Sequence, residues 1–136
     1  MVRKKIITEL EGKAINIYKL YSYTKSELFK QLKNALKVYK EQPFYISLTS
    51  DEIYGNGLDD RILVQGIIDL YFINQEGEVV LVDYKTDYIE NGKENELIEK
   101  YRKQLEIYKR ALVQALGKNV DKCYIYSVYL EKLISV

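Results

Sequence analysis

The alternation of hydrophobic and polar positions along the chain predicts two helices. Apolar residues recur at helical spacing over residues 24–39, and Thr24 followed by Glu27 fits a capping box with Thr24 as the N-cap. A longer helical pattern covers residues 94–116, and Gly117 stands where a C-terminal cap is expected. We therefore predict one helix in each half of the chain.

Four other segments are rich in β-branched and aromatic residues and predict strands. They cover residues 43–49, 62–73, 78–86 and 121–130. Pro43, the only proline, should end the first helix and open the first strand. The polar, glycine-containing residues 51–60 should form an exposed loop. The order helix, strand, hairpin, helix, strand indicates an α/β (α+β) domain with a small mixed sheet.

The length of the chain sets the expected number of domains. With 136 residues it is long enough for one modest hydrophobic core, so we predict a single domain. Residues 1–40 should form a helical lead-in, beginning with two short helices that break near Gly12. Residues 41–136 should form the main core.

The composition excludes several kinds of site. The chain has no histidine and one cysteine, Cys123, which excludes a His-based nucleophile, an internal disulfide and a cysteine-ligated zinc or iron–sulfur cluster within it. Hydrophobic residues make up 47% of the chain and charged residues 30%, as in soluble globular proteins. No apolar run is long enough to span a membrane and no signal peptide opens the chain. We expect a cytoplasmic protein with no membrane partner.

The net charge of +1 conceals three blocks of opposite sign. Residues 1–40 carry +7, residues 41–99 carry −11, and residues 100–136 carry +5. An acidic centre between basic flanks could hold cations centrally and a polyanion around them. Ordinary solvated surface explains the same distribution, so charge alone does not choose between the two interpretations.

The stretch GIIDLYFINQEGEVVLVDYKTD, residues 66–87, predicts a hairpin that carries charged side chains into the core. A turn centred on Glu76 would set Asp69 directly opposite Asp83, with Cβ atoms about 4.5–5.5 Å apart. Lys85 should share the face of Asp83, because side chains alternate along a strand. Two facing carboxylates repel unless one is protonated or a cation lies between them, and Mg²⁺ is commonly held by one or two carboxylates. The alternative is a surface-facing strand edge with an ordinary Asp–Lys pair.

The long helix carries a polar residue among its core-facing positions. Tyr101, Gln104 and Tyr108 are spaced to lie on one helix face, beside a stripe of Leu and Ala residues. A buried amide needs hydrogen-bond partners, and the charged hairpin would provide them. The alternative is that Gln104 lies at the rim of the buried stripe.

These motifs resemble those of a known family. GIIDLYF, VLVDYKTD and YRKQLEIYKRAL, in this order and spacing, resemble the RecB-type branch of the PD-(D/E)xK nucleases, most closely the C-terminal nuclease domains of AddA-type helicase–nucleases. VYKEQPFYISL and CYIYSVYL extend the resemblance, which covers the chain from about residue 26 onward. The resemblance implies a restriction-endonuclease-like core, in which a small mixed β-sheet is flanked by helices and residues 41–136 form the catalytic core.

The resemblance also implies roles for individual residues. Asp69 and Asp83 would be metal ligands, with the backbone carbonyl of Tyr84 as a further one, and Lys85 would be the catalytic lysine. The remaining matches are Gln104 and Tyr108 of the family's QxxxY motif, Tyr101 as a supporting residue, and Glu41 as a recurrent glutamate without an assigned role.

The function implied by the resemblance is that of an exonuclease acting on DNA. We expect an Mg²⁺-dependent deoxyribonuclease domain, with Mn²⁺ as a substitute and no iron–sulfur cluster. It would cut single strands delivered by a helicase, with an AddB-type partner, in double-strand-break repair by homologous recombination. ATP would be used by a separate helicase region, because nothing in this chain resembles a phosphate-binding glycine loop.

One feature of the family pattern is missing. A histidine from an upstream helix usually joins the metal site in this family, and this sequence contains no histidine. We expect the chain to be the C-terminal part of a longer protein, and the isolated chain to bind metal weakly or cut poorly. The alternatives are a non-catalytic, nuclease-like module that binds DNA or a partner, and a stand-alone repair exonuclease of the same superfamily.

Overall fold

The computed structural model describes residues 23–136, so the predicted helices before residue 23 lie outside the described residues. The described part forms a five-stranded sheet and three helices. The helices are α1 (Glu27–Lys33), α2 (Ser50–Tyr54) and α3 (Glu94–Leu116). The strands are β1 (Lys37–Thr49), β2 (Arg61–Ile73), β3 (Val79–Lys85), β4 (Lys122–Ser127) and β5 (Lys132–Ser135).

The sheet is mixed, as predicted, and its strands lie in sequence order. β3 and β4 are parallel and are connected by α3, while the other neighbouring strands are antiparallel. The β2–β3 hairpin has the predicted register, with Leu70 opposite Val82 and Ile73 opposite Val79. This register extends to Asp69 and Asp83 as the next opposed pair.

Helices cover both faces of the sheet, because successive strand residues point to opposite sides. Leu70, Phe72 and Val82 pack on one face with Leu28 of α1. Tyr71, Val79, Leu81 and Ile125 pack on the other face with Leu97, Leu105 and Leu112 of α3. α3 and its glycine cap follow the prediction, with Gly117 in the left-handed conformation at φ 69°. None of the described helices combines the length and apolarity that crossing a membrane requires.

The first described helix is shorter than predicted, and its N-cap is Ser26 rather than Thr24. The Ser26 hydroxyl accepts a hydrogen bond from the Phe29 amide at 3.2 Å. The helix ends at Lys33, and Tyr39 lies in β1 with its ring stacked on that of Tyr71 at 4.6 Å. The apolar spacing beyond residue 33 suits a strand as well as a helix, and pairing with β2 favours the strand.

Pro43 neither ends a helix nor opens a strand, which corrects the prediction. β1 begins at Lys37, so Pro43 lies inside it, opposite Ile67 of β2. β1 is an edge strand, where a missing backbone N–H need not interrupt a ladder. The boundary predicted between residues 40 and 41 therefore falls within a strand.

Two further elements were not predicted from the sequence. The start of the expected loop 51–60 forms α2, for which Thr49 and Glu52 make a reciprocal capping box at 3.1 and 2.9 Å. The expected final strand over residues 121–130 stops at Ser127, and the chain turns into β5. Short polar helices and tight turns leave little trace in hydrophobic periodicity.

The side chains of β1 and β2 change faces near Glu41. Tyr39 packs in the cluster beneath α3, whereas beyond Glu41 it is the even-numbered Phe44, Ile46 and Leu48 that pack toward that helix. Glu41 has a positive φ of 49°, and it stands opposite Asp69 at the one position where the β1–β2 ladder is interrupted. This local reversal leaves Asp69 beneath α3.

Candidate active site

The two predicted carboxylates lie together where the β2–β3 ladder ends. Asp69 and Asp83 retain 9% and 3% of their exposure, so both carboxylates are buried. The carboxylate Oδ2 of Asp69 accepts a hydrogen bond from the backbone N–H of Tyr84 at 3.0 Å. A side chain therefore takes the place of the next strand–strand hydrogen bond, which fixes Asp69 against β3.

Lys85 joins this pair to the long helix. Its Nζ lies 2.8 Å from Asp83 Oδ2 and donates to Oε1 of Gln104 at 2.9 Å. Gln104 therefore lies beside the charged hairpin, as the sequence predicted. The structure brings Asp69, Asp83, Lys85 and Gln104 into one cluster from three elements, β2, β3 and α3.

Burial and like charge make the ionised form of Asp83 costly. Burial, followed by the nearby charge of Asp69, raises the pKa of Asp83 to about 7, and the Lys85 ammonium only partly opposes this. The same surroundings act on Tyr108, whose pKa is raised to about 12 by burial and then by the two carboxylates. The site thus favours an additional positive charge.

The donor set fits a hard divalent cation. Asp83 Oδ2 is buried and receives no hydrogen bond of good geometry from the described residues, although the Lys85 ammonium lies beside it. Two buried carboxylates with such an oxygen match the ligand preference of Mg²⁺ and Mn²⁺. Among residues 23–136 no three His, Cys, Asp or Glu side chains group as metal ligands, so the fit rests on this pair and neighbouring backbone oxygens.

The Tyr84 side chain has a structural role on the opposite face of the sheet. Its hydroxyl is hydrogen-bonded to that of Tyr23 at 2.9 Å, and its ring meets Tyr126 edge-to-face. Burial, followed by the neighbouring Tyr23, raises the pKa of Tyr84. Only its backbone is therefore placed to face the carboxylates.

The other predicted residues lie around this cluster at different distances from the chemistry. The Tyr101 ring centroid lies 3.9 Å from Lys85 Nζ, and the Tyr108 ring packs edge-to-face on Phe44. Glu41 is exposed and is distinguished by its backbone conformation rather than by a side-chain contact.

One residue of the site received no role in the sequence analysis. Asp87 accepts hydrogen bonds from the Tyr101 hydroxyl at 2.9 and 3.0 Å and from Lys100 at 2.6 Å. Burial alone would raise its pKa, but the bonds from Lys100 and Tyr101 outweigh this, and the pKa is lowered. Its place in the VDYKTD stretch was visible, but nothing in the local pattern linked it to a residue 14 positions later.

Comparison with known proteins assigns the family. The profile of the PD-(D/E)XK nuclease superfamily matches residues 7–132. The chain belongs to this superfamily. The resemblance inferred from the hairpin and helix motifs is thereby confirmed, and so is the predicted fold class.

Relatives with whole-chain similarity carry one name, that of the A-type subunit of an ATP-dependent helicase/nuclease. The protein of this name from Clostridium perfringens is 40% identical over 148 aligned residues, which cover 100% of this chain and 11% of the relative. Those from Ruminiclostridium cellulolyticum and Alkaliphilus metalliredigens are each 42% identical over 93% of this chain. The chain thus spans about a tenth of the length of these relatives, 10% and 11% respectively.

Proposed function

We propose that this chain is a metal-dependent deoxyribonuclease domain that hydrolyses DNA phosphodiester bonds at the cluster beneath α3. The observation that carries the proposal is the convergence of Asp69, Asp83, Lys85 and Gln104 from three elements. A buried, mutually repelling carboxylate pair beside an ammonium costs stability, which is typical of a site that binds a cation.

Asp69, Asp83 and the backbone carbonyl of Tyr84 would hold the metal, Mg²⁺ with Mn²⁺ as a substitute. When bound, such an ion lowers the pKa of a water molecule and neutralises charge on a phosphodiester. The hydrogen bond from the Tyr84 amide keeps the Asp69 carboxylate oriented for this role. Asp83 is held in the same way by its ion pair with Lys85.

Lys85 would act on the substrate as a compact positive charge. Its ammonium is 15% exposed at the side chain, so it is accessible to a phosphate while remaining largely shielded from water. Negative charge that develops on phosphate oxygens is stabilised by such a preorganised cation. Gln104, by accepting a hydrogen bond from the ammonium, would orient it without competing for the phosphate.

The wider role follows the printed names of the relatives. We propose that the domain is an exonuclease, working in the cytoplasm on single strands delivered by a helicase region outside this chain, with an AddB-type partner. Double-strand-break repair by homologous recombination is the process that such an activity would serve. ATP use belongs to the helicase part in this proposal.

The metal site is tested by calorimetric titration of Mn²⁺ into the chain and its Asp69→Ala variant. We expect binding that disappears in the variant, because the carboxylate pair is then broken. Glu99→Ala is the matched control, since Glu99 is exposed and pairs only with Arg102 among the described contacts. Binding that survives Asp69→Ala would place the metal elsewhere.

The chemistry is tested by cleavage of a labelled single-stranded oligonucleotide by the chain and by Lys85→Ala. We expect cleavage to fall by at least about 100-fold in the variant with the circular dichroism spectrum unchanged, because Lys85 acts on charge rather than packing. If the isolated chain is inactive, the comparison is repeated in a chimera that replaces the matching segment of the Clostridium perfringens relative. An inactive chimera that still binds DNA would favour the non-catalytic module instead.

A further inference from the structure

We infer that Tyr101 and Asp87 form a positioning pair that sets the location of the Lys85 ammonium, a role that rests on the proposed nuclease function. Lys85 Nζ lies 3.9 Å from the centroid of the Tyr101 ring. The hydroxyl of the same ring donates to Asp87 at 2.9 and 3.0 Å. Asp87 follows Lys85 by two residues, so the network closes on the end of the strand that carries the lysine.

The ring provides a contact that the other partners of Lys85 do not. Asp83 and Gln104 bond the ammonium at 2.8 and 2.9 Å, but the lysine stem is long and flexible. A ring face below the ammonium attracts it electrostatically and limits its movement toward α3. Catalytic groups act well only when held within about 0.5 Å of the productive position.

Asp87 fixes the ring in turn. Its side chain is 21% exposed, so the hydrogen bonds from Tyr101 are largely shielded from water. An ionised acceptor strengthens the bond from the hydroxyl, and the lowered pKa of Asp87 is consistent with this ionised form. The end of β3 is thereby tied to the second turn of α3, the helix that also carries Gln104.

A surface ion pair offers a simpler account of Asp87, and it can be separated from the inference. Lys100 also bonds Asp87, at 2.6 Å, and its ammonium lies 5.3 Å from the Tyr101 ring. The Lys100 side chain is 61% exposed, so this pair contributes little to stability or orientation. Lys100→Ala therefore serves as the control variant.

The activity experiment compares Tyr101→Leu, Tyr101→Phe, Asp87→Asn and Lys100→Ala in oligonucleotide cleavage. We expect Tyr101→Leu to lower kcat about tenfold with KM and Mn²⁺ affinity unchanged, because a partly shielded cation–π contact is lost. Tyr101→Phe keeps the ring and should recover most of this loss, while Asp87→Asn should show a smaller decrease. Lys100→Ala should match the unsubstituted chain.

A second readout does not depend on activity or metal. The ε-methylene protons of Lys85, observed by NMR with labelled lysine, should be shifted upfield by the ring current of Tyr101. The shift should persist in Tyr101→Phe and disappear in Tyr101→Leu. A Lys85 signal without this shift in the unsubstituted chain would overturn the contact itself.

The outcomes separate this inference from the proposal on which it rests. Full activity in Tyr101→Leu would overturn the positioning role and leave the nuclease proposal standing. No cleavage by the unsubstituted chain or by the chimera, with the ring-current shift present, would overturn the nuclease proposal and the positioning role together. A tenfold loss that Phe restores would support both.

Discussion

At the scale of single residues, the site holds an acid where its ionised form is unfavourable. Asp83 is almost fully buried, faces Asp69, and has a pKa raised to about 7. Lys85 compensates only part of the cost, because a buried ion pair rarely recovers the full penalty of removing both charges from water. The arrangement lowers stability in the absence of a further cation, which is a common property of functional sites.

Replacing this acid should therefore stabilise the metal-free protein. We predict that Asp83→Asn raises the free energy of unfolding by about 1–3 kcal/mol in EDTA at pH 8, since it removes the repulsion from Asp69 and one buried charge. Urea denaturation of both proteins measures the difference. Addition of Mn²⁺ should stabilise only the unsubstituted chain, and an equal response in both would show that the two carboxylates do not share an ion.

At the scale of elements, a backbone feature of β1 sets the side-chain faces of β2. Glu41 adopts the left-handed region at φ 49°, opposite Asp69, where the ladder is interrupted. A side chain in that region costs of the order of 1 kcal/mol, so the conformation is imposed by pairing on both sides. Glu41 thus contributes to the site through its backbone in this interpretation.

This interpretation predicts opposite results for two substitutions. Glu41→Gly should leave metal binding and cleavage intact and stabilise the fold slightly, by up to about 1 kcal/mol, because glycine adopts positive φ readily. Glu41→Val should destabilise it by about 1–2 kcal/mol and weaken Mn²⁺ binding, because a β-branched residue resists this conformation. Calorimetry and urea denaturation measure both effects. Loss of cleavage in Glu41→Gly would instead assign a role to the carboxylate.

A second element-scale contact ties α2 to α3. Glu52 caps α2 through Thr49 and forms an ion pair with Arg110 of α3. The backbone and side-chain hydrogen bonds with Thr49, followed by the bond from Arg110, lower the pKa of Glu52 to about 2.

The pH dependence of this contact has a definite sign. Because the folded-state pKa is lowered from 4.5 to about 2, the stabilisation is complete above about pH 4.5 and is lost as the pH falls through about 2. We predict that Glu52→Gln is less stable than the unsubstituted chain at pH 6, and that thermal unfolding at lower pH shows the difference shrinking. A difference that stays constant down to pH 2 would mean that the carboxylate charge is unimportant.

At the scale of the whole molecule, the sheet separates a structural face from a functional one. Leu28 of α1 is fully buried on the first face, and Leu105 of α3 is 1% exposed on the second, next to Gln104. Packing on the functional face sets the distance between α3 and the hairpin. The geometry of the cluster therefore depends on the core beneath it.

Matched cavities on the two faces should separate stability from function. Leu28→Ala and Leu105→Ala should each destabilise the fold by about 2–5 kcal/mol, because each removes a buried side chain of the same size. Only Leu105→Ala should also weaken Mn²⁺ binding and cleavage at a temperature where both variants are folded, since it loosens the helix that carries Gln104. Equal losses of function in both variants would show that stability alone controls activity.

The sequence by itself determined the elements whose signals are local. The α3 pattern and its Gly117 cap, the turn of the β2–β3 hairpin and the resulting opposition of Asp69 and Asp83 follow from periodicity, turn chemistry and register. These features depend on residues close together in the chain, so their physical cause is legible in the order of residues. The family motifs lie on the same elements.

Only the tertiary structure decided the features that depend on distant pairing. The change from α1 to β1, which the sequence placed several residues too late, is set by hydrogen bonding to β2, and Pro43 is accepted because β1 lies at the edge. The contacts of Lys85 with Gln104 and Tyr101, and of Tyr101 with Asp87, join residues 14 to 19 positions apart. Their geometry exists only once α3 packs on the sheet, because local propensity carries no information about which helix face meets which strand end.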